Sequence, residues 1–245
     1  MRMLTFAGRN TKEILRDPLN LAFGLGFPLV LLFLFTTIQA NVPQKIEIFE
    51  IQRITPGTTV FGLSFITLFS ATLIARDRES ALLHRLYTTP LTPLDFILGY
   101  ALPLIPIAVL QSTVCYLTAV AMGLRLSVNL IYAVGFVIPI SLLYIGLGLL
   151  FGSILNVKQV GGVCGALLTN LSAWLSGAWF DLSLVGGTFR KVAYALPFVH
   201  AVELEQGILA GEFSAVFPHL LWVLGYAVAA IAVAVWLFLR QMKNQ

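Results

Sequence analysis

The chain has 245 residues, 58% of them hydrophobic and only 11% charged, with a net charge of +4 and a mean hydropathy of +0.91. A soluble domain carries ~25% charged residues, so this chain cannot clothe a water-facing surface. A soluble enzyme or a nucleic-acid-binding domain is excluded.

Apolar runs of roughly 20 residues, long enough to cross ~30 Å of hydrocarbon, recur along the chain. They are continuous rather than alternating, which selects helices over a β-barrel. The expected fold is an all-α integral membrane protein with one transmembrane domain over residues 1–245. The positive charge then reflects cytoplasmic lysine and arginine.

Residues 1–19 should form an amphipathic helix, over about 3–16. At 100° per residue, Met3, Leu4, Ala7, Thr11, Ile14 and Leu15 share one arc. Arg9, Lys12, Glu13 and Arg16 fall opposite, and Phe6 lies off the arc. Asp17–Pro18 stops the helix, because the residue before proline is pushed out of the α region. Such a helix suits the membrane interface, with Arg9, Lys12 and Arg16 toward anionic lipid. Packing on protein is the alternative.

Six spans follow, at about 20–39, 56–75, 98–121, 130–152, 161–180 and 219–239. An even number puts both termini on one side. The N-terminus, the 76–97 loop, the 153–160 turn and the C-terminus hold ten Arg and Lys, and the opposite loops hold five. That ratio favours both termini in the cytoplasm.

Residues 75–98, ARDRESALLHRLYTTPLTPLDFIL, carry six charges in a chain that has few. From Arg78 a helix sets Leu82, Leu83 and Leu86 on one side, with Arg78, His84 and Arg85 free to project elsewhere. Pro90 and Pro93 end it. A short helix over 76–90, held between two spans, can transmit a push from a soluble partner; a solvated loop is the alternative.

Residues 181–218 are too apolar for a free loop and too interrupted for a clean span. Gly186–Gly187, Pro197, Gly207, Gly211 and Pro218 suggest two short helices that dip into the outer leaflet and return. Glu203 and Glu205 should then stay near the outer interface or face a wet cavity. In a regular seventh span over 192–210 each would cost several kcal/mol. Residues 219–245 make the last span and a cytoplasmic tail.

No span interior carries a convincing ionisable group for a driving ion. No phosphate-cradling G-x-x-x-x-G-K-[ST] loop occurs, nor H-E-x-x-H, a nucleophile elbow or a cysteine cluster. Cys115 and Cys164 read as small core residues. His84, His200 and His219 are scattered and interfacial. No catalytic residue, metal or cofactor is expected on this chain, so energy for uphill transport should come from another polypeptide.

The stretch RDRESALLHRLYTTPLTPLDFILGYALP resembles the segment that leads into the third span of type-2 ABC transporter permeases. Arg78, Glu79, Leu83, Leu86, Thr89, Pro90, Leu91, Thr92 and Gly99 carry the likeness. The chain departs from it at Ser80–Ala81, often Gly-Thr in the family, and at Tyr100, often basic there. LRDPLNLAFGLGFPLVLLFLF is similar to the family's first span through Arg16, Pro18 and Pro28. YALPFVHAVELEQGILAGE is similar to its last motif through Pro197, Val202, Glu203, Gly207 and Gly211.

The resemblance implies an exporter permease, paired with a second copy or a paralogue, in a bacterial or archaeal cytoplasmic membrane. Two separate ATP-binding subunits, which hold ATP and Mg, would dock on a coupling helix marked by Arg78, Glu79, Leu82, Leu83, Arg85, Leu86, Thr89 and Pro90. The N-terminal helix would be an interfacial connector and the reentrant pair the outer closure.

The first outer loop, about 40–55, is too short to capture a ligand alone. The candidate path faces are Phe23, Phe27, Phe61, Phe65, Phe69, Trp174, Trp179 and Phe180. They suit a lipophilic or amphipathic cargo such as a drug, lipid or polyketide. For any one of them a lipid-facing role is equally open, and a polysaccharide would also use aromatics.

The topology makes a prediction, in a background lacking Cys115 and Cys164. Impermeant thiol reagent applied from outside labels Thr188→Cys or Phe213→Cys and spares Lys243→Cys. Outside labelling at position 243 would overturn the six-span arrangement.

Overall fold

The computed structural model describes residues 2–80 and 92–243. Among the described residues there are helices and no strands. Helix α1 spans Arg2–Leu15, α2 Pro18–Asn41 and α3 Ile51–Glu79. The next two are α4, Pro93–Ala101, and α5, Leu104–Ala121. Helix α6 is Asn129–Ile154. A continuous helical run follows: α7 (Val157–Val160), a π-helical stretch (Gly161–Leu168) and α8 (Thr169–Leu175). Helix α9 spans Gly187–Ala195, α10 Pro197–Ala210 and α11 Phe213–Lys243.

Five stretches are long and apolar enough to cross a membrane: Pro18–Asn41, Ile51–Glu79, Leu94–Ala121, Asn129–Ile154 and Phe213–Arg240. The chain is an all-α membrane protein. The α7–α8 run also lies along the bundle. Its π turns coincide with Gly161, Gly162 and Gly165, and the Thr169 hydroxyl donates to the Cys164 carbonyl five residues back, at 2.9 Å.

Helix α3 is the centre. The apolar core of α3 is 89% buried, against 17% for α2 and 22% for α11. Helices α2, α5, α6 and α10 and the π stretch all pack on it.

Contacts fix the directions. Thr67 donates to the Tyr144 carbonyl at 2.8 Å, Gly148 abuts Ser70, and Gly152 abuts Ala71 and Ile74, so α3 and α6 run parallel. Tyr132 against Phe213, and Gly146 against Ala230, make α11 parallel to α6. Gly24 meets Phe69, and Gln111 meets Gly62, so α2 and α5 run the other way. Gly165 at Leu68 and Gly57 at Ala178 give the α7–α8 run that same reversed direction. Both described ends of the chain therefore lie at one end of the bundle, the terminal end.

Helices α9 and α10 form a hairpin at the opposite end. The Tyr226 hydroxyl donates to the Ala195 carbonyl at 2.6 Å, about 20 Å along α11 from Phe213 at ~1.5 Å per residue. Phe198 lies beside Tyr144, at a similar depth along α6. Pro197 is at the first turn of α10, where a missing N–H costs nothing. From there α10 climbs back until Gly211, at φ +81, ends it in the left-handed region that favours glycine. Asn129 then donates to the Leu209 carbonyl at 3.3 Å.

Three expectations are corrected. Helix α3 continues through Arg76–Glu79, so residues 76–79 are its last turn and not the start of a separate helix. Asp77 can sit there because it is partnered. The final helix begins at Phe213 rather than near 219, so the interrupted segment ends at Gly211 and Glu212. In α1 the buried face is Phe6, Ala7, Asn10 and Ile14, while Leu4 and Leu15 are exposed. The helix packs by Phe6, the residue outside the sequence-derived arc.

The α3–α6 contact makes a prediction. A Cβ on Gly148 would lie 2.5 Å from Ser70 Cβ and 2.9 Å from the Thr67 carbonyl oxygen. Gly148→Val costs about 1–3 kcal/mol by overpacking, read as a lower thermal midpoint in detergent. Gly135→Val, with open space around it, leaves the midpoint unchanged. Equal effects of both would refute close α3–α6 packing.

Candidate functional site

The terminal end is organised by the last turn of α3. Asp77 has a buried carboxylate, its side chain only 3% exposed. Arg9 of α1 donates to its Oδ2 at 2.5 Å, and the Tyr100 hydroxyl donates to the same oxygen at 2.9 Å. Arg9 also reaches Asn10 Oδ1, and Asn10 donates to the Gly99 carbonyl at 3.0 Å. Phe6 packs edge-on against Phe96 and Tyr100, at 5.8 and 5.0 Å between centroids. Gly99 makes room for it: a Cβ there would meet Phe6 at 2.2 Å. Helix α1 is thus bolted to α3 and α4.

The next two residues tie α3 to the other side. Arg78 donates to the carbonyls of Ser153 and Leu155, where α6 ends. Glu79 accepts from the Val157 N–H at 2.9 Å, at the start of the α7–α8 run, where a helix leaves its N–H groups unpartnered. Arg76 lies 3.4 Å from Asp17, which caps α2. Four consecutive side chains therefore touch α1, α2, α4, the end of α6 and α7. On the far side of the 81–91 connector, Thr92 and Asp95 close a capping box on α4.

The predicted aromatics divide. Phe27, Phe61, Phe65 and Trp179 form one cluster, with centroids 5.0–6.2 Å apart. Phe35 and Phe49 extend it, which sequence reasoning missed. Phe61 and Phe69 are buried in packing, Phe69 against Gly24. Phe23 and Trp174 are exposed and apart from the cluster. Phe180 meets Phe189 at a tilt, with centroids 6.4 Å apart. The cluster opens into a crevice of about 740 Å³ at the hairpin end, lined by Phe49, Trp179 and Phe180 and by Arg53, Asp181 and Arg190.

A model of the ABC-2 type transporter family matches residues 2–213. The chain belongs to that family. Comparison with curated proteins gives no match. It is a permease of an ABC-type transporter, the membrane component rather than the ATPase, and it associates with ABC ATP-binding subunits.

Of the coupling residues expected in this ABC-2 permease, Arg78 and Glu79 join neighbouring elements as described. Leu82, Leu83, Arg85, Leu86, Thr89 and Pro90 lie outside the described residues, as does His84. Of the interfacial cations, Arg9 is engaged with Asp77, Arg16 faces Glu13 at 3.7 Å, and Lys12 lies on the opposite side of α1 from Phe6.

The two hairpin carboxylates differ. Glu203 is partly exposed and accepts from the Tyr194 hydroxyl. Glu205 is fully buried, against the expectation of an interfacial or wet position. The Tyr116 hydroxyl of α5 donates to its Oε2 at 2.6 Å, and burial pushes its carboxyl up to about 8. Nothing local in the sequence signalled this, because Tyr116 sits 89 residues away. His200 and His219, scattered in sequence, stand side by side with Nδ1 atoms 2.9 Å apart.

The Asp77 network makes a prediction. Arg9 is about one-third exposed, so the pair is worth less than a fully buried one. Asp77→Ala should cost about 1–3 kcal/mol, since Arg9 and Tyr100 both lose this acceptor. Arg9→Ala should cost less. In a double-mutant cycle read by thermal unfolding, the double variant falls short of the sum; strict additivity would show that the two do not cooperate.

Proposed function

We propose that this permease serves an exporter and forms the translocation path for an amphipathic or lipophilic compound, driven by two separate ATP-binding subunits. The chain crosses a bacterial or archaeal cytoplasmic membrane six times, with the α7–α8 run as the fifth span, and both termini are cytoplasmic, a side supported by the ten Arg and Lys of the terminal-end segments against five opposite. The chain pairs with a second copy or a paralogue. The 81–91 connector, with Leu82, Leu83 and Leu86, is the element the ATPase pushes. Residues 1–19 anchor it, and the α9–α10 hairpin closes the outer end.

One observation carries this reading. The helix that feeds the connector is tied at its last turn to five other elements, through Arg76, Asp77, Arg78 and Glu79. A force applied to the connector cannot bend a loose end. It must move the bundle. The crevice at the hairpin end mixes aromatic rings with Arg53, Asp181 and Arg190, which suits a molecule with an apolar body and a polar end. Its polar side also favours a second reading, a glycan or lipid-linked glycan exporter, since sugars use aromatic faces with carboxylate and amide partners.

The test uses liposomes holding the permease with its ATP-binding subunits. Amphipathic compounds should stimulate ATP hydrolysis, glycans should not, and the permease alone should show none. Leu83→Asp or Leu86→Asp should reduce co-purification of the ATPase, at ~1–3 kcal/mol of docking energy, and abolish stimulation. Transport by the permease alone on an ion gradient would overturn the proposal.

A further inference from the structure

We propose that His200, His219 and Glu203 bind one divalent transition-metal ion of the zinc class, joining α10 to α11. The three ligand atoms lie within 4.8 Å of one another. The Nδ1 atoms of the two histidines are 2.9 Å apart, and Glu203 Oε2 is 3.5 Å from His219 Nδ1. A tetrahedral ion with bonds of ~2.0–2.1 Å sets its ligands about 3.3 Å apart, so small movements suffice.

The surroundings prepare each ligand. His200 Nε2 is 3.0 Å from the Tyr194 carbonyl, which can only accept. Nε2 therefore carries the proton, and Nδ1 presents its lone pair to the site. The hydroxyl of the same Tyr194 donates to Glu203 Oε1, leaving Oε2 to face the histidines. One residue thus orients two ligands, the role that outer partners play in built metal sites. Trp222 stacks on His200 at 4.9 Å and 12°, and Tyr194 meets its edge at 5.8 Å. His200 is only 5% exposed, so its ring is held in place.

Access is present. His219 and Glu203 line a crevice of about 500 Å³ together with Gln206 and the rim carboxylates Glu50 and Glu212. Arg53 shares that rim. The crevice gives an ion a way in and leaves room for water as a fourth ligand. Without an ion, His219 Nδ1–H donates to His200 Nδ1. On binding, His219 changes tautomer: Nδ1 gives its proton to water, Nε2 takes one up from water, and the lone pair left on Nδ1 takes the metal. Two imidazoles and one carboxylate suit zinc, nickel or copper over calcium or magnesium. The inference does not depend on the exporter reading.

The test uses the full chain in detergent, free of any polyhistidine tag and stripped with a chelator. Zn²⁺ is titrated by calorimetry and Co²⁺ by visible absorption. Binding should saturate at one ion per chain and raise the thermal midpoint. Glu203→Gln and His219→Ala should each weaken it about tenfold or more. His219→Cys should retain the ion and add a thiolate-to-cobalt band, which separates loss of a ligand from damage to the fold. Failure to saturate would overturn the proposal, as would unchanged binding in the His200→Ala/His219→Ala double variant.

Discussion

A helix enclosed on all sides by other helices needs neighbours that come close and polar groups that find partners without water. Helix α3 meets the first demand along its length and the second at most of its hydroxyls, Thr59 and Ser70 being buried without a hydrogen-bond partner among the described residues. Its contacts run through small residues: Gly57 on Ala178, Gly62 on Gln111, Ser70 on Gly148, Ala71 on Gly152. In lipid, where apolar surface alone does not drive helices together, such close backbone approach supplies the packing energy. Its hydroxyls turn inward. Thr55, Thr58 and Ser64 donate to carbonyls of their own helix, and Thr67 crosses to α6. Helices α2, α5 and α6 take their positions from this one, and α11 is placed through α6 and α10.

Five of the six expected spans were legible because twenty apolar residues in a row admit few other readings. Their ends were not. Asp77 looked like loop because a lone carboxylate does not belong in a buried turn; its partners, Arg9 and Tyr100, lie 68 and 23 residues away. The phase of α1 was misread for a related reason. An arc drawn for lipid favoured Leu4 and Leu15, while the protein-facing side was decided by a hole over Gly99 that Phe6 fills. Glu205 and the His200–His219 pair were invisible because each depends on an element elsewhere in the chain. The Pro197 and Gly211 punctuation was legible, since proline at a first turn and glycine at a left-handed cap are backbone requirements.

Tyr100 shows how a departure from the family pattern is absorbed. Type-2 ABC transporter permeases often carry a basic residue there. In this chain the hydroxyl of Tyr100 still donates to Asp77, and the cation comes from α1 as Arg9. The Arg9–Asp77 pair makes α1 part of the clamp rather than a helix lying free on lipid.

The parallel arrangement of α3, α6 and α11 has a mechanical meaning under the coupling reading. At the terminal end, α3 is gripped by its last turn. At the other end, α10 lies against these same three helices. A hydrogen-bonded helix transmits displacement along its axis far better than a loop does. Coupling between distant sites needs a contiguous physical route, and here the route is made of whole helices. The bundle ends of α3, α6 and α11 on which α10 rests are reached from the connector without passing through any flexible segment. Polar links hold the hairpin there: Tyr116 to Glu205, Tyr226 to the Ala195 carbonyl, Asn129 to the Leu209 carbonyl, Gln206 to the Arg53 carbonyl of α3, and His219 to His200 and Glu203. Under that reading, motion delivered along the three helices reaches α10 directly, through its buried face and these links.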